Sequence, residues 1–195
     1  MTMPTPTSTE KRGRPKKLGL DEIVDAALAV LDADGIDAVS FRRLGSELGV
    51  SHMTLYTYFE SKEELLNAMV GRTLALPAFE AAPGRPWHTQ LLEAMRQIHA
   101  ALMARPGIAQ LLVTHQFEGA WVGDLRKRLL GLLEPAGLGE AATVDGISVL
   151  FNYLLGTVMV ETSRGLGGSS ASVDFGLGLL VDGLRRTARQ RRTAR

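Results

Sequence analysis

LGSELGVSHMTLYTYFESKEEL, residues 44–65, is the stretch on which the fold turns. A Gly-Val-Ser break separates two short apolar patterns. Ser51, His52, Thr54, Tyr56 and Tyr58 then crowd into eight residues, where a core would want Leu and Ile. Upstream, Ser40 reads as the cap of a helix over Phe41–Leu48 with Leu44 and Leu48 as its core face, and Gly49 closes it. Ser51 caps the next helix, which the pattern carries to about Phe59. Two short helices with a glycine in the turn have the spacing of a helix-turn-helix, residues 40–59.

In that motif the second helix lies in the major groove of DNA while the first crosses the backbone. The hydroxyls then have a use. With Leu55 and Phe59 facing the core, Ser51, His52, Met53, Thr54, Thr57 and Tyr58 are left outward. Short donors and acceptors there reach base edges or phosphates, and a Met or Thr methyl meets a thymine methyl. Tyr56 offers a phenol at phosphate distance. Arg42 and Arg43 open the preceding helix and Lys62 opens the following one, so all three flank the groove. The helix N-terminus at Ser51 adds backbone N–H groups on the same side.

The same segment resembles the DNA-binding signature of the TetR family of transcriptional repressors. The similarity runs from about Leu18 to Leu76, with the Gly-Val-Ser turn, the Leu-Tyr-x-Tyr-Phe helix and the Ser-Lys-Glu-Glu-Leu entry as its specific parts. The resemblance implies base or backbone contacts from Ser51, His52, Met53, Thr54, Thr57 and Tyr58, and phosphate contacts from Arg42, Tyr56 and Lys62. Gly19 stands where the family usually has a capping Ser, and Gly45 where Ala is usual. A glycine inside a helix costs about 0.5–1 kcal/mol against Ala.

Outward from this module, the periodicity is helical throughout, and no strand alternation or internal repeat is found. Ile23, Ala26, Ala27, Val30 and Leu31 mark a first helix, ended by Gly35 as a left-handed cap. Ser61-x-x-Glu64 is a capping box opening a fourth helix. Further helices are expected over about 87–104, 108–117, 121–133 and 140–163. Arg105-Pro106-Gly107 forms a break, residues 164–172 a flexible link, and residues 174–188 a last helix. The chain therefore reads as all-α, in four parts. A basic arm (1–17) precedes a helix-turn-helix domain (18–76). A helical bundle for effector binding and dimerisation (77–188) and a basic tail (189–195) follow.

Composition limits the alternatives. The chain has 195 residues, 45% of them hydrophobic, and no cysteine. Disulfides and Cys-ligated metal are excluded, and a reducing cytosol is compatible. The net charge of +1 hides an asymmetry, because half of the 22 basic side chains lie in the first 17 and last 11 residues. Basic ends on an acidic body read as polyanion contacts or as solubilising tails. In Lys11–Lys17, Arg12 and Arg14 flank a glycine and can lie along a narrow A·T-rich minor groove. The polar N-terminus is unlike a secretory signal, and the apolar run 147–160 is too short to span a bilayer, so no membrane partner is expected.

The last two helices carry apolar groups on more than one side, with Gly156 allowing close approach. Burial against a second copy explains this, and a two-fold dimer suits a palindromic DNA operator. The resemblance implies the same dimer, and a small-molecule effector pocket between the helices after Met69. Met95, His99, Phe117, Trp121, Phe151, Asn152 and Leu155 are its candidate walls. His99 and His115 fall on different helices with no carboxylate motif beside them, so neither a metal nor a cofactor is expected. An enzyme is disfavoured by the absence of a nucleophile elbow, a P-loop and a strand-borne GxGxxG. The reading is a homodimeric, cytoplasmic, nucleoid-associated repressor. An effector-independent or architectural DNA binder, or an activator of the same fold, is the alternative.

Overall fold

In the computed structural model the described residues are 18–75, 82–165 and 170–193, and every regular element among them is helical. α1 (Leu20–Asp34) buries Ile23, Val24, Ala27, Leu28, Val30 and Leu31, the line its periodicity predicts. It ends at Gly35 with φ 81° and ψ 178°. That is a glycine-only conformation, but an extended one rather than the predicted left-handed cap.

A 3-10 turn (Ile36–Ala38) leads into α2 (Phe41–Leu48), where the Ser40 hydroxyl accepts the Arg43 N–H at 3.2 Å. Gly49, with φ 67° and ψ 30°, is a true left-handed cap. α3 (His52–Leu55) is shorter than the predicted 51–59. The Thr57 and Tyr58 N–H groups reach back only three residues, to Thr54 and Leu55, so the helix tightens into a turn. α4 (Lys62–Leu74) begins with the Ser61 hydroxyl accepting the Glu64 N–H at 3.1 Å, and Glu64 returns to the N–H of Glu60. The capping box is thus closed one residue early.

The bundle comprises α5 (Trp87–Ala104), α6 (Pro106–Thr114), α7 (Ala120–Leu133), α8 (Glu140–Ser163) and α9 (Ser170–Thr193). Pro106 sits at the first position of α6, where its missing N–H costs nothing. That helix stops at Thr114 rather than Phe117, because His115 turns extended. α9 is longer than predicted at both ends. Ser170–Ser172, predicted as link, are helical, and the helix continues to Thr193. There Arg191 donates to the Leu138 carbonyl and Arg192 to that of Pro135, at 2.7 Å for the latter. Two arginines of the basic tail therefore satisfy carbonyls of the turn between α7 and α8.

α8 spans 24 residues with a mean hydropathy of 1.5 in its most apolar window. By length and composition it could cross a bilayer, so counting only the uninterrupted apolar run understates it. Thr143, Gly146, Leu150, Leu154 and Val158 are buried along it, and it packs on α5, α6, α7 and α9. Val149 and Val160 are left exposed on it, as are Phe175 and Leu179 on α9.

α4 joins the two halves. It packs on α1 to one side and on α5, α6 and α7 to the other. Arg72 pairs with Asp21 at 2.9 Å and Asp25 at 3.4 Å, and Arg105 at the start of α6 pairs with Asp32 at 3.0 Å. Gly107 lies against Leu31, so close that a Cβ there would sit 2.8 Å from a leucine methyl.

Candidate nucleic-acid interface and bundle cleft

The angle between α2 and α3 is set by their closest approach. The Val50 N–H donates to the Gly45 carbonyl at 2.9 Å, and a Cβ on Gly45 would lie 2.8 Å from the Val50 oxygen. The glycine that costs helix propensity is what lets the two helices meet this closely. An alanine would need them to separate by a few tenths of an ångström.

On α3 and the turn after it, Leu55 and Phe59 are buried. Ser51, His52, Met53, Tyr56 and Thr57 are exposed, and Thr54 is partly so. The Ser51 hydroxyl accepts the Met53 N–H at 3.2 Å, which uses one of the free N–H groups at the helix start. Thr57 donates its hydroxyl to the Thr54 carbonyl at 2.6 Å. Tyr56 rests edge-on against Phe41, with ring centroids 4.5 Å apart, and remains half exposed.

Of the residues expected outward, Tyr58 turns inward, and Arg43 is exposed but paired with acids. Tyr58 is half-buried, and its hydroxyl donates to the Leu18 carbonyl at 3.0 Å. The tightening after Leu55 rotates it toward α1. Arg43 is held by Asp34 at 3.2 Å and Glu47 at 2.9 Å, so its charge is already balanced by acids. Arg42 and Lys62, in contrast, have no acidic partner among the described residues. Arg12 and Arg14 lie outside the described residues.

In the bundle, a cleft of about 270 Å³ opens between α6, α7 and α8. Phe117, Trp121 and Phe151 line it, together with Leu112, His115 and Arg126. The other candidate walls are elsewhere. Met95 is fully buried in the core line of α5 with Leu91, Ile98 and Leu102. Asn152 is exposed, because it stands two residues from Leu150 and Leu154 and so on the opposite side of α8. Leu155 packs against the core. His99 faces Glu161 across α5 and α8, Nε2 to Oε2 3.6 Å, and both atoms are buried without a hydrogen bond. His115 read from the sequence as part of the helix expected over 108–117 and not as a cleft wall. Its place in the cleft depends on the chain turning extended there.

The start of α7 is tied to α4. The Trp121 indole N–H donates to Asn67 Oδ1 at 2.6 Å, and the Asn67 amide donates to the Glu118 carbonyl. Trp121 also stands 6.1 Å from Phe117, centroid to centroid.

A helix-turn-helix whose reading face is polar, joined by one helix to an all-helical bundle with an aromatic cleft, defines a class of one-component DNA-binding regulators. The family model for bacterial regulatory proteins of the tetR family matches residues 23–69, and that of the tetracyclin repressor-like C-terminal domain matches residues 80–172. The chain belongs to the TetR family. It is 34% identical over 146 residues to the HTH-type transcriptional repressor DrrR1 of Streptomyces coeruleorubidus, covering 74% of this chain and 54% of DrrR1. This chain thus spans little more than half the length of that relative. Among solved structures it is similar to BioQ bound to its natural double-stranded DNA operator. There the TM-score is 0.70 at 28% identity, covering 87% of this chain and 99% of that one. It is also similar to ActR of Streptomyces coelicolor in complex with actinorhodin, with a TM-score of 0.76 at 25% identity over 89% and 99% of the two chains.

Proposed function

We propose that this chain is a homodimeric, sequence-specific DNA-binding regulator of transcription. It acts as a repressor that leaves a palindromic operator when a small molecule occupies the bundle. The observation that carries the reading is the exposed row His52, Met53, Tyr56 and Thr57 on one short element between Arg42 and Lys62. A solvated surface would have no reason to gather base-edge donors, a thymine-sized methyl contact and two unbalanced cations in one place. The printed descriptions of the relatives support it: DrrR1 is a repressor, BioQ holds an operator and ActR holds a small molecule. No part of the reading calls for enzymatic chemistry, and the site of action is the cytoplasm, at the nucleoid.

Ser51 and Thr54 join His52, Met53 and Thr57 in base and backbone contact. Tyr56, Arg42 and Lys62 hold phosphates, and Arg12 and Arg14 extend into the minor groove. Tyr58 and Arg43 position the domain instead. The second copy covers the exposed stripe of Val149, Asn152, Gly156 and Val160 on α8 with Phe175 and Leu179 on α9. The cleft around Phe117, Trp121 and Phe151 takes the effector, and α4 carries its effect to the DNA side. Selecting genomic fragments on the full chain tests the whole. A two-fold symmetric sequence with half-site centres ~34 Å apart is the expected product. Fragments sharing no sequence would instead support the architectural alternative.

A further inference from the structure

Trp121 belongs to two surfaces at once. With Phe117 and Phe151 it walls the cleft between α6, α7 and α8. It also lines a second groove of about 550 Å³, shared with Tyr58, Phe59, Asn67 and Gly71, between the helix-turn-helix domain and the start of α7. Its indole N–H is held by Asn67 at 2.6 Å, and the other end of the Asn67 amide holds the carbonyl of Glu118. One turn further along α4, Gly71 stands beside the ring. A Cβ at that position would lie 3.0 Å from both Trp121 Cδ1 and Cγ. The indole is therefore tied to α4 by a hydrogen bond and lies where α4 has no room for a side chain at position 71.

We propose that Trp121 couples the cleft to the DNA-binding domain: a flat aromatic ligand filling the cleft turns the indole, breaks its bond to Asn67 and frees α4 from α7. This rests on the reading of the cleft as the effector site. The ligand class follows from the walls. Three aromatic rings line a space near the lower end of drug-sized pockets, ~300 Å³, and offset or edge contacts with planar rings satisfy such walls best. The coupling follows from the sharing of one side chain. A ring that enters against Trp121 loads its bond to Asn67, which belongs to α4. α4 opens at Lys62, directly after the reading turn, so its release changes how the helix-turn-helix sits on the bundle. α1 packs on α4 and Arg72 pairs with Asp21 and Asp25, so the two are expected to move as a unit.

Anilinonaphthalene sulfonate is a suitable aromatic probe, and the full chain carrying Trp87→Phe leaves Trp121 as its only tryptophan. Saturating probe is expected to quench Trp121 and to raise amide exchange along α4 by about 5–150-fold, the usual range of coupling between sites. Asn67→Ala does not line the cleft. It is expected to bind the probe more tightly than the parent, because the bond that binding must break is already gone, to show fast α4 exchange without it, and to respond no further. Asn67→Asp keeps the acceptor for the indole and restores the response. Gly71→Ala, which pushes on the ring from the α4 side, reproduces the probe-bound exchange pattern without probe. The exchange measurement needs no DNA, so a chain that failed to bind any operator would sink the regulatory reading and still decide this one. A probe that leaves Trp121 unquenched, or quenches it with α4 exchange unchanged, overturns the proposal. So does an Asn67→Ala chain that responds like its parent.

Discussion

Tyr56 and Tyr58 stand two residues apart and serve different ends. Tyr56 leans on Phe41 and stays half exposed, while the Tyr58 hydroxyl is spent on the Leu18 carbonyl. Tyr58→Phe is expected to lower stability by ~0.5–1.5 kcal/mol, the net value of one hydrogen bond, with operator preference unchanged. Urea denaturation and a binding competition measure the two halves of that statement. Tyr56→Ala, in contrast, should weaken specific and scrambled DNA alike. His52→Ala or Thr54→Ala should relax preference at one or two base pairs, by ~1–3 kcal/mol each. If those two variants lose equal affinity for operator and scrambled DNA, they do not read bases. The outward row was legible from the spacing of Leu55 and Phe59. The inward turn of Tyr58 was not, because it depends on the helix tightening after Leu55. Helical period likewise places Met95 and Asn152 on a helix without saying which neighbour each faces, so one fell in the core and the other on the surface.

At the scale of elements, local chemistry was readable where a single side chain decides it. Ser40 and Ser61 cap as their positions predict and α8 has the bounds expected of it, whereas Pro106, read as part of a break, instead starts α6. Ends set by distant partners were not readable. α9 reaches Thr193 with Arg191 and Arg192 seated on carbonyls of a turn more than fifty residues away. Arg191→Ala with Arg192→Ala should therefore raise amide exchange at the end of α9 and leave DNA affinity within about twofold, since exposed polar contacts contribute little singly. A large loss of DNA binding would return these arginines to the polyanion role. For the basic arm the expectation is the reverse. Deleting residues 1–17 should leave the melting temperature unchanged and flatten the salt dependence of DNA binding, by ~0.9 in log–log slope per lost phosphate contact. An unchanged slope would make the arm a tail only. On the opposite face, Phe175→Asp with Leu179→Asp places charge on side chains that are 70% and 55% exposed in the single chain. Sedimentation should then find monomers where the parent forms dimers; a dimer that persists would move the interface elsewhere.

Across the whole molecule, one polar junction ties the reading head together and two fasten it to the bundle. Arg72 binds α4 to α1, Asn67 binds α4 to Trp121, and Arg105 binds α6 to α1. In the proposed dimer such a frame would let one helix transmit a change in the cleft to two half-sites together, and coupling of that kind is reciprocal between ligand and operator. All of it presupposes that the head reads sequence. The most direct test is the affinity of the full chain for its selected operator against a scrambled duplex of equal length, at physiological salt. Sequence reading predicts operator binding ~10³-fold or more tighter. Equal affinity for the two duplexes would contradict it, leaving charge as the whole of the interaction.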